Sequence, residues 1–162
     1  MAHDPADTWL KIRDAETGKI VSAANWKVYP SYVEAPKPEI HATWWEEGSK
    51  EREMAETVME DFFERRRKNC KEAHVLLFIL FTVPEFQRRD AGSMMLKWGT
   101  DLADHLFLPM WVEASEHGYH LYESHGFQSK EKVHVQTEKW LVEYTHMRRP
   151  AKEPRVKIGG TR

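Results

Sequence analysis

Residues 74–83, HVLLFILFTV, are apolar almost without interruption and stop at Pro84. The longest wholly apolar stretch, from Val75 to Phe81, is seven residues, far below the roughly 20 that a membrane-spanning helix needs. Proline has no N–H to give a sheet ladder, so the run reads as a central strand buried on both faces and ending at Pro84. The stretch 84–92, PEFQRRDAG, then predicts a turn. A helix from near Ala91 places Met95, Trp98, Leu102 and Leu106 on one stripe. Strand, tight turn and helix therefore follow in that order, and the rest of the chain must be read around them.

Upstream, two alternating segments, 9–13 and 20–29, flank DAETG, whose Gly18 can take the positive φ of a turn, and together they predict a β-hairpin. Residues 30–48 carry Pro30, Pro36, Pro38 and Gly48 and read as a loop. Ser49 can cap a helix in which Met54, Val58 and Phe62 recur at every fourth position. Its acids, Glu51, Glu53, Glu56 and Glu60, precede its bases, Arg65, Arg66, Arg67 and Lys68, an order that complements the helix dipole. The basic run reads as a solvated helix end. Downstream, 109–114 is a short strand, 116–125 a short helix stopped by Gly126, and 132–135 and 140–147 the final strands. Residues 1–150 form a single predicted domain, and 151–162 a basic, mobile tail.

The formal charge of −2 and the pI near 6.5 give no overall pull toward nucleic acid or an anionic membrane. Cys70 is the only cysteine, which excludes an intramolecular disulfide and a cysteine-based zinc site and fits a reducing compartment. With no apolar leader in MAHDPADTWLK, the expectation is a cytoplasmic protein. His117, His120 and His125 lack a carboxylate or cysteine to complete a convincing ligand set, so no metal is expected.

The chemistry concentrates in the turn. A helix start carries unpaired N–H groups and a positive dipole end, which suits an anion, and Arg88 and Arg89 add charge that can reach a phosphate. Gly92 permits close backbone approach. The run LFTVPEFQRRDAGSMMLKWG, followed by VEASEHGYHLYESHGF, resembles the GNAT superfamily of acyl-CoA-dependent N-acetyltransferases, particularly uncharacterised fungal members. Gln87 and Gly92 match the family's turn. Leu121, Tyr122, Glu123, Gly126 and Phe127 match its second landmark.

The resemblance covers residues 9–147 and implies an α/β (α+β) fold: a mixed central β-sheet, splayed beside the long strand and flanked by helices in three αβα layers. It implies acetyl transfer from acetyl-CoA, as co-substrate, to a primary amine on a small molecule or peptide, by direct attack in a ternary complex. By the same carry-over, Phe81, Thr82 and Val83 would bind pantetheine and the acetyl carbonyl. Gln87, Arg88, Arg89, Asp90, Ala91, Gly92 and Ser93 would hold the pyrophosphate. Ser115 stands where many members have a cofactor-contacting asparagine. Tyr122 would protonate the departing thiolate, and Glu113, on the short strand, is the first candidate for general base. Trp44 and Trp45 fall in a loop where members often contact acceptors, although core or lid packing is the readier account of them. A homodimer is compatible with the sequence.

Two departures from the family matter. Asp90 stands where the turn has glycine. Facing a phosphate at about 5 Å it would cost about 3 kcal/mol at an effective dielectric near 20, which would leave a weakened GNAT-fold binding or assembly module. As the helix cap it would instead gain about 1 kcal/mol, and aspartate tolerates left-handed backbone angles. Second, only eight residues precede the first hairpin strand, where family members carry a strand and helices forming the acceptor wall. Either the chain is a shortened form, or another subunit or the helix at 49–69 supplies that wall.

Overall fold

The computed structural model describes residues 6–32 and 39–153. Pro36, Pro38 and most of the basic tail lie outside the described residues. The hairpin forms as its alternation dictates: β1 (Asp7–Arg13) and β2 (Ile20–Tyr29) pair antiparallel, and Gly18 turns between them at φ 68°. Helix α1 (Lys50–Asn69) begins at Ser49, whose side chain accepts from the Arg52 N–H. After it come β3 (His74–Thr82), a single 3₁₀ turn at Pro84–Phe86, and α2 (Ala91–Leu106). The chain continues through β4 (Met110–Ala114), α3 (Glu116–Ser124), β5 (Gln128–Gln136) and β6 (Leu141–Arg149). The last two strands are longer than their apolar residues predict, because β5 and β6 pair with each other along polar as well as apolar positions.

The six strands form one mixed sheet in the order β1-β2-β3-β4-β6-β5, with β3 and β4 parallel. Alternation assigns the two faces. Ala24, Trp26, Leu77, Val112 and Met147 join Met95, Leu96 and Ala103 of α2 and Tyr122 of α3 in the main core. On the other face, Val58 and Phe62 of α1 pack with Val133, Val135 and Tyr144 of β5 and β6. The result is the expected three-layer αβα arrangement, with α1 on one side of the sheet and α2 and α3 on the other.

Three expectations need correction. The strand at 74–83 is not buried on both faces throughout: His74 to Leu77 are buried, but Phe78, Ile79 and Phe81 are 37%, 40% and 47% exposed. Its partner β4 pairs only as far as Leu77 opposite Val112, so among the described residues the second half of β3 has no strand partner on that side. The buried stripe of α2 is Ala91, Met95, Leu96, Gly99, Thr100 and Ala103 rather than one through Trp98 and Leu106, which are exposed. Gly99 sets this rotation: a Cβ there would lie 2.2 Å from Cζ2 of Trp26, so the indole fills the space a side chain would take. Finally, the basic end of α1 is not simply solvated, because Arg65 and Arg66 are spent on ion pairs to Asp61, Glu131 and Glu113.

Candidate functional site

Where β3 and β4 part company, the backbone of β3 is exposed on one edge. Pairing with β2 shifts there: Asn25 lies opposite Ile79 and Trp26 opposite Leu77, which leaves Phe78 as a bulge. A bulge adds twist and kinks the strand locally, which opens the gap between β3 and β4 into a wedge. Thr82 and Leu80 face the α2 side; Phe81 and Ile79 face the α1 side. Phe81, Thr82 and Val83 thus lie along the open end of this wedge.

The turn at 87–93 sits directly beyond. Gln87 Nε2 donates to the Thr82 carbonyl at 3.1 Å and ties the turn to the strand end. Arg88 and Asp90 both take left-handed backbone angles, φ 59° and 62°, which aspartate tolerates better than most residues. Asp90 is the residue preceding α2, and its side chain makes no capping hydrogen bond, so of the two alternatives raised for it the capping one is not seen. The first helical bond runs from the Met94 N–H to the Asp90 carbonyl at 2.9 Å. The N–H groups of Ala91, Gly92 and Ser93 therefore precede any intrahelical partner, and a helix of this length offers them at its positive end. Arg89 stacks on the Phe86 ring at 5.2 Å. Gly92 serves packing: a Cβ there would meet Leu121 Cδ2 at 3.0 Å, so its lack of a side chain lets α3 approach α2.

From α3, Tyr122 reaches into the main core and packs edge-on against Phe127 at 5.9 Å. Burial, reinforced by the negative charge of Glu113, pushes its phenol up to about 12. The group stays protonated at any physiological pH and keeps a proton to donate. Ser115 caps α3, its Oγ accepting from the Gly118 N–H at 3.3 Å, so its hydroxyl already has a structural task.

Glu113 does not stand free as a base. On the α1 face of β4, its two oxygens take Nε and Nη2 of Arg66 at 2.6 and 2.8 Å, and the pair is largely buried. The Arg66 guanidinium also lies 4.8 Å from the Phe78 ring. Beside the pair, His146 is fully buried and stacked on Trp111. Burial lowers its pKa, so the ring is neutral. Asn69 Nδ2 donates to His146 Nδ1 at 3.0 Å, which leaves the proton on Nε2, 3.7 Å from Glu113 Oε1. Arg66, the Phe78 bulge and the Gly99–Trp26 contact carry no local sequence signature; each depends on a partner dozens of residues away.

The remaining nominations fall elsewhere. His125 Nδ1 donates to the Leu121 carbonyl, His120 sits by Glu123, and no group of three metal-ligating side chains occurs among the described residues. Trp45 packs on Trp140 at 6.1 Å, at the tip of the β5–β6 hairpin, while Trp44 is exposed. A pocket of ≈ 390 Å³ between α3 and β5–β6, lined by Glu116, Tyr119, His120, Lys132, Glu143 and Thr145 among others, contains none of the residues nominated for catalysis or for acetyl-CoA.

No protein-family model and no curated protein sequence matches the chain, but solved structures do. A histone acetyltransferase HPA2 and related acetyltransferase from Corynebacterium glutamicum is 19% identical, with 94% of this chain and 68% of that one covered at a TM-score of 0.58. The ribosomal-protein-S18-alanine N-acetyltransferase of Escherichia coli gives 14% identity, 94% and 74% coverage and a TM-score of 0.57. A GNAT superfamily phosphinothricin acetyltransferase from Sinorhizobium meliloti, in complex with AcCoA, gives 14%, 90% and 61%, and 0.51. The fold of this chain is that of the GNAT acetyltransferases. Among the described residues no helix is long and apolar enough to cross a membrane.

Proposed function

We propose that the chain is an acyl-CoA-dependent N-acyltransferase that passes an acetyl group from acetyl-CoA to a primary amine on a small molecule or peptide. One observation carries the reading: the open half of β3 runs straight into a turn whose three helix-start amides lack intrahelical partners, so a pantetheine edge and an anion cradle are contiguous. Bound acetyl-CoA would supply an activated thioester.

The chain's own residues divide the remaining work. Backbone N–H groups on the unpaired edge from Phe78 to Thr82 fit an acyl oxygen and stabilise charge that develops there. The amides of Ala91, Gly92 and Ser93, with Arg88 and Arg89, fit the pyrophosphate. Tyr122, protonated at working pH, donates to the departing sulfur. Glu113, neutralised by Arg66, fixes α1 over the site instead of serving as base. The amine is then taken in its neutral form, and kcat/KM rises with pH toward the acceptor's own pKa. The lone, buried Cys70 supports a reducing, cytoplasmic location.

Release of thiol from acetyl-CoA, followed across an amine panel, tests the activity; folded protein that binds CoA yet releases thiol with no amine would count against it. The alternative, a weakened cofactor-binding module, is favoured by one feature. The Asp90 carboxylate is exposed at the mouth of the cradle, with no capping bond to withdraw it. CoA binding that appears only in Asp90→Gly would select that alternative.

A further inference from the structure

The sheet ends on two edge strands, β1 at one side and β5 at the other, and neither has a strand partner on its outer side among the described residues. The two edges are built differently. In β5, Ser129 lies opposite Met147 and Glu131 opposite His146, so Lys130 is an extra residue that kinks the strand, and Lys130 and Lys132 are exposed along it. A bulge and lysines are the usual devices that keep an edge from pairing. In β1 the seven residues from Asp7 to Arg13 run without interruption. The one register shift beside them, with Ile12 opposite Ser22 and Arg13 opposite Ile20, falls in β2, where Val21 is the extra residue. β1 is therefore a regular open edge, and it carries Trp9 58% exposed.

Pairing with β2 fixes where the backbone groups of β1 point. The Val28 N–H donates to the Ala6 carbonyl at 3.2 Å, and at the other end the Asp14 N–H donates to the Lys19 carbonyl at 2.9 Å. Hydrogen-bonded and non-hydrogen-bonded pairs alternate along an antiparallel ladder. Thr8, Leu10 and Ile12 thus turn their N–H and C=O groups toward β2, while Asp7, Trp9, Lys11 and Arg13 turn theirs outward. A further strand can join only through these four residues.

Their side chains are complementary to themselves. Lys11 and Arg13 are exposed and make no ion pair among the described residues. Asp7 meets Lys27 at 2.8 Å and Asn25 at 3.5 Å, both through Oδ1, which leaves Oδ2 for another cation. Laid antiparallel on a second β1 and centred on Leu10, the strand sets Asp7 opposite Arg13, Trp9 opposite Lys11, Thr8 opposite Ile12 and Leu10 opposite Leu10. Outward groups meet outward groups, and all seven residues are paired. Centring on Lys11 would face that lysine with itself; centring on Trp9 would leave Arg13 without a partner in the strand.

We propose that β1 is the interface of a two-fold homodimer, in which two copies pair antiparallel about Leu10 and join their six-stranded sheets into one. Arg13 of the second copy pairs with Asp7, and its Lys11 lies over the Trp9 ring. The two Leu10 side chains meet on the α2 face, where Leu10 and Ile12 already pack against the main core. β2 separates this edge from the open half of β3, so the inference stands or falls without the acyltransferase reading.

Sedimentation velocity from about 1 to about 200 µM, the range of a modest self-association, should show a mass rising toward twice 19.1 kDa. Lys11→Pro removes one outward N–H and one cation while leaving every bond to β2 in place, and should weaken the dimer at least tenfold. Circular dichroism and a thermal melt of the variant separate lost pairing from lost folding. Cysteine crosslinking reads the register. Leu10 faces itself in a non-hydrogen-bonded pair, with Cα atoms about 4.5 Å apart, within the span of a disulfide. Leu10→Cys should therefore form a covalent dimer on oxidation, since the native Cys70 is buried. Thr8→Cys and Ile12→Cys should not crosslink singly but should do so when mixed. A monomer at all these concentrations, a dimer that folded Lys11→Pro leaves intact, or crosslinking by Thr8→Cys alone would each overturn the proposal.

Discussion

The two halves of β3 have nearly the same composition and opposite fates. His74 to Leu77 are buried, and Val75 to Leu77 are paired on both sides, to β2 and to β4; Ile79 to Thr82 keep β2 but lack β4, and the aromatic side chains of Phe78 and Phe81 stand exposed. Hydrophobicity cannot explain the difference, since the exposed half carries Phe78, Ile79, Leu80 and Phe81. Divergence explains it: β4 runs on to Ala114 still paired with β6, but its pairing with β3 stops at Val112, where the Phe78 bulge bends β3 away. The two parallel strands splay, and an apolar strand edge is left open.

The closed half is held from both faces, and the largest expected effect comes from loosening it. Arg66→Ala would leave Glu113 buried without its cation, at a cost of about 3–5 kcal/mol, read as a lower urea midpoint. Glu113→Gln paired with Arg66→Met should recover much of that loss. On the open half, Tyr122→Phe should lower kcat about 100-fold with CoA affinity unchanged in calorimetry; a drop in CoA affinity instead would make the tyrosine a packing residue. Returning to the closed half, Gly99→Ala would push a methyl into the Trp26 ring and cost about 1–3 kcal/mol, visible in thermal melts. At the turn, Asp90→Gly should tighten CoA about tenfold, worth about 1.4 kcal/mol, and more at low salt than at high salt.

The smallest effect is in pH. His146 has its pKa lowered by burial, so the folded protein keeps it neutral while the unfolded chain protonates it below about 6.5. The unfolded state then binds more protons, and stability falls as pH drops through that value. His74, also lowered by burial, adds to the same slope. His146→Gln should flatten the urea midpoint between pH 7 and 5; an unchanged slope would remove His146 from the account.

What the sequence made legible was local. Pro84 ended β3, Ser49 capped its helix, and Gly18 and Gly126 took positive φ where turns required it. The order of strand, turn and helix, with the two motifs, was enough for the fold. Illegible features were those set by partners remote in sequence. The burial of β3 was overestimated because a continuous apolar run does not report where its neighbour stops. The stripe of α2 was misread because Trp98 looked like core, when Trp26 had taken the space above Gly99. Glu113 looked like a free strand carboxylate because nothing near it in sequence announces Arg66, 47 residues away.

In the proposed function, the open half of β3 and the turn after it form one acyl-CoA site. Amide hydrogen exchange with and without saturating CoA tests it most directly. Protection should concentrate at residues 78–83 and 87–94, with the closed half of β3 and the α3–β5–β6 pocket unchanged. Protection centred on that pocket, or none at 78–83 and 87–94 despite bound CoA, would contradict it.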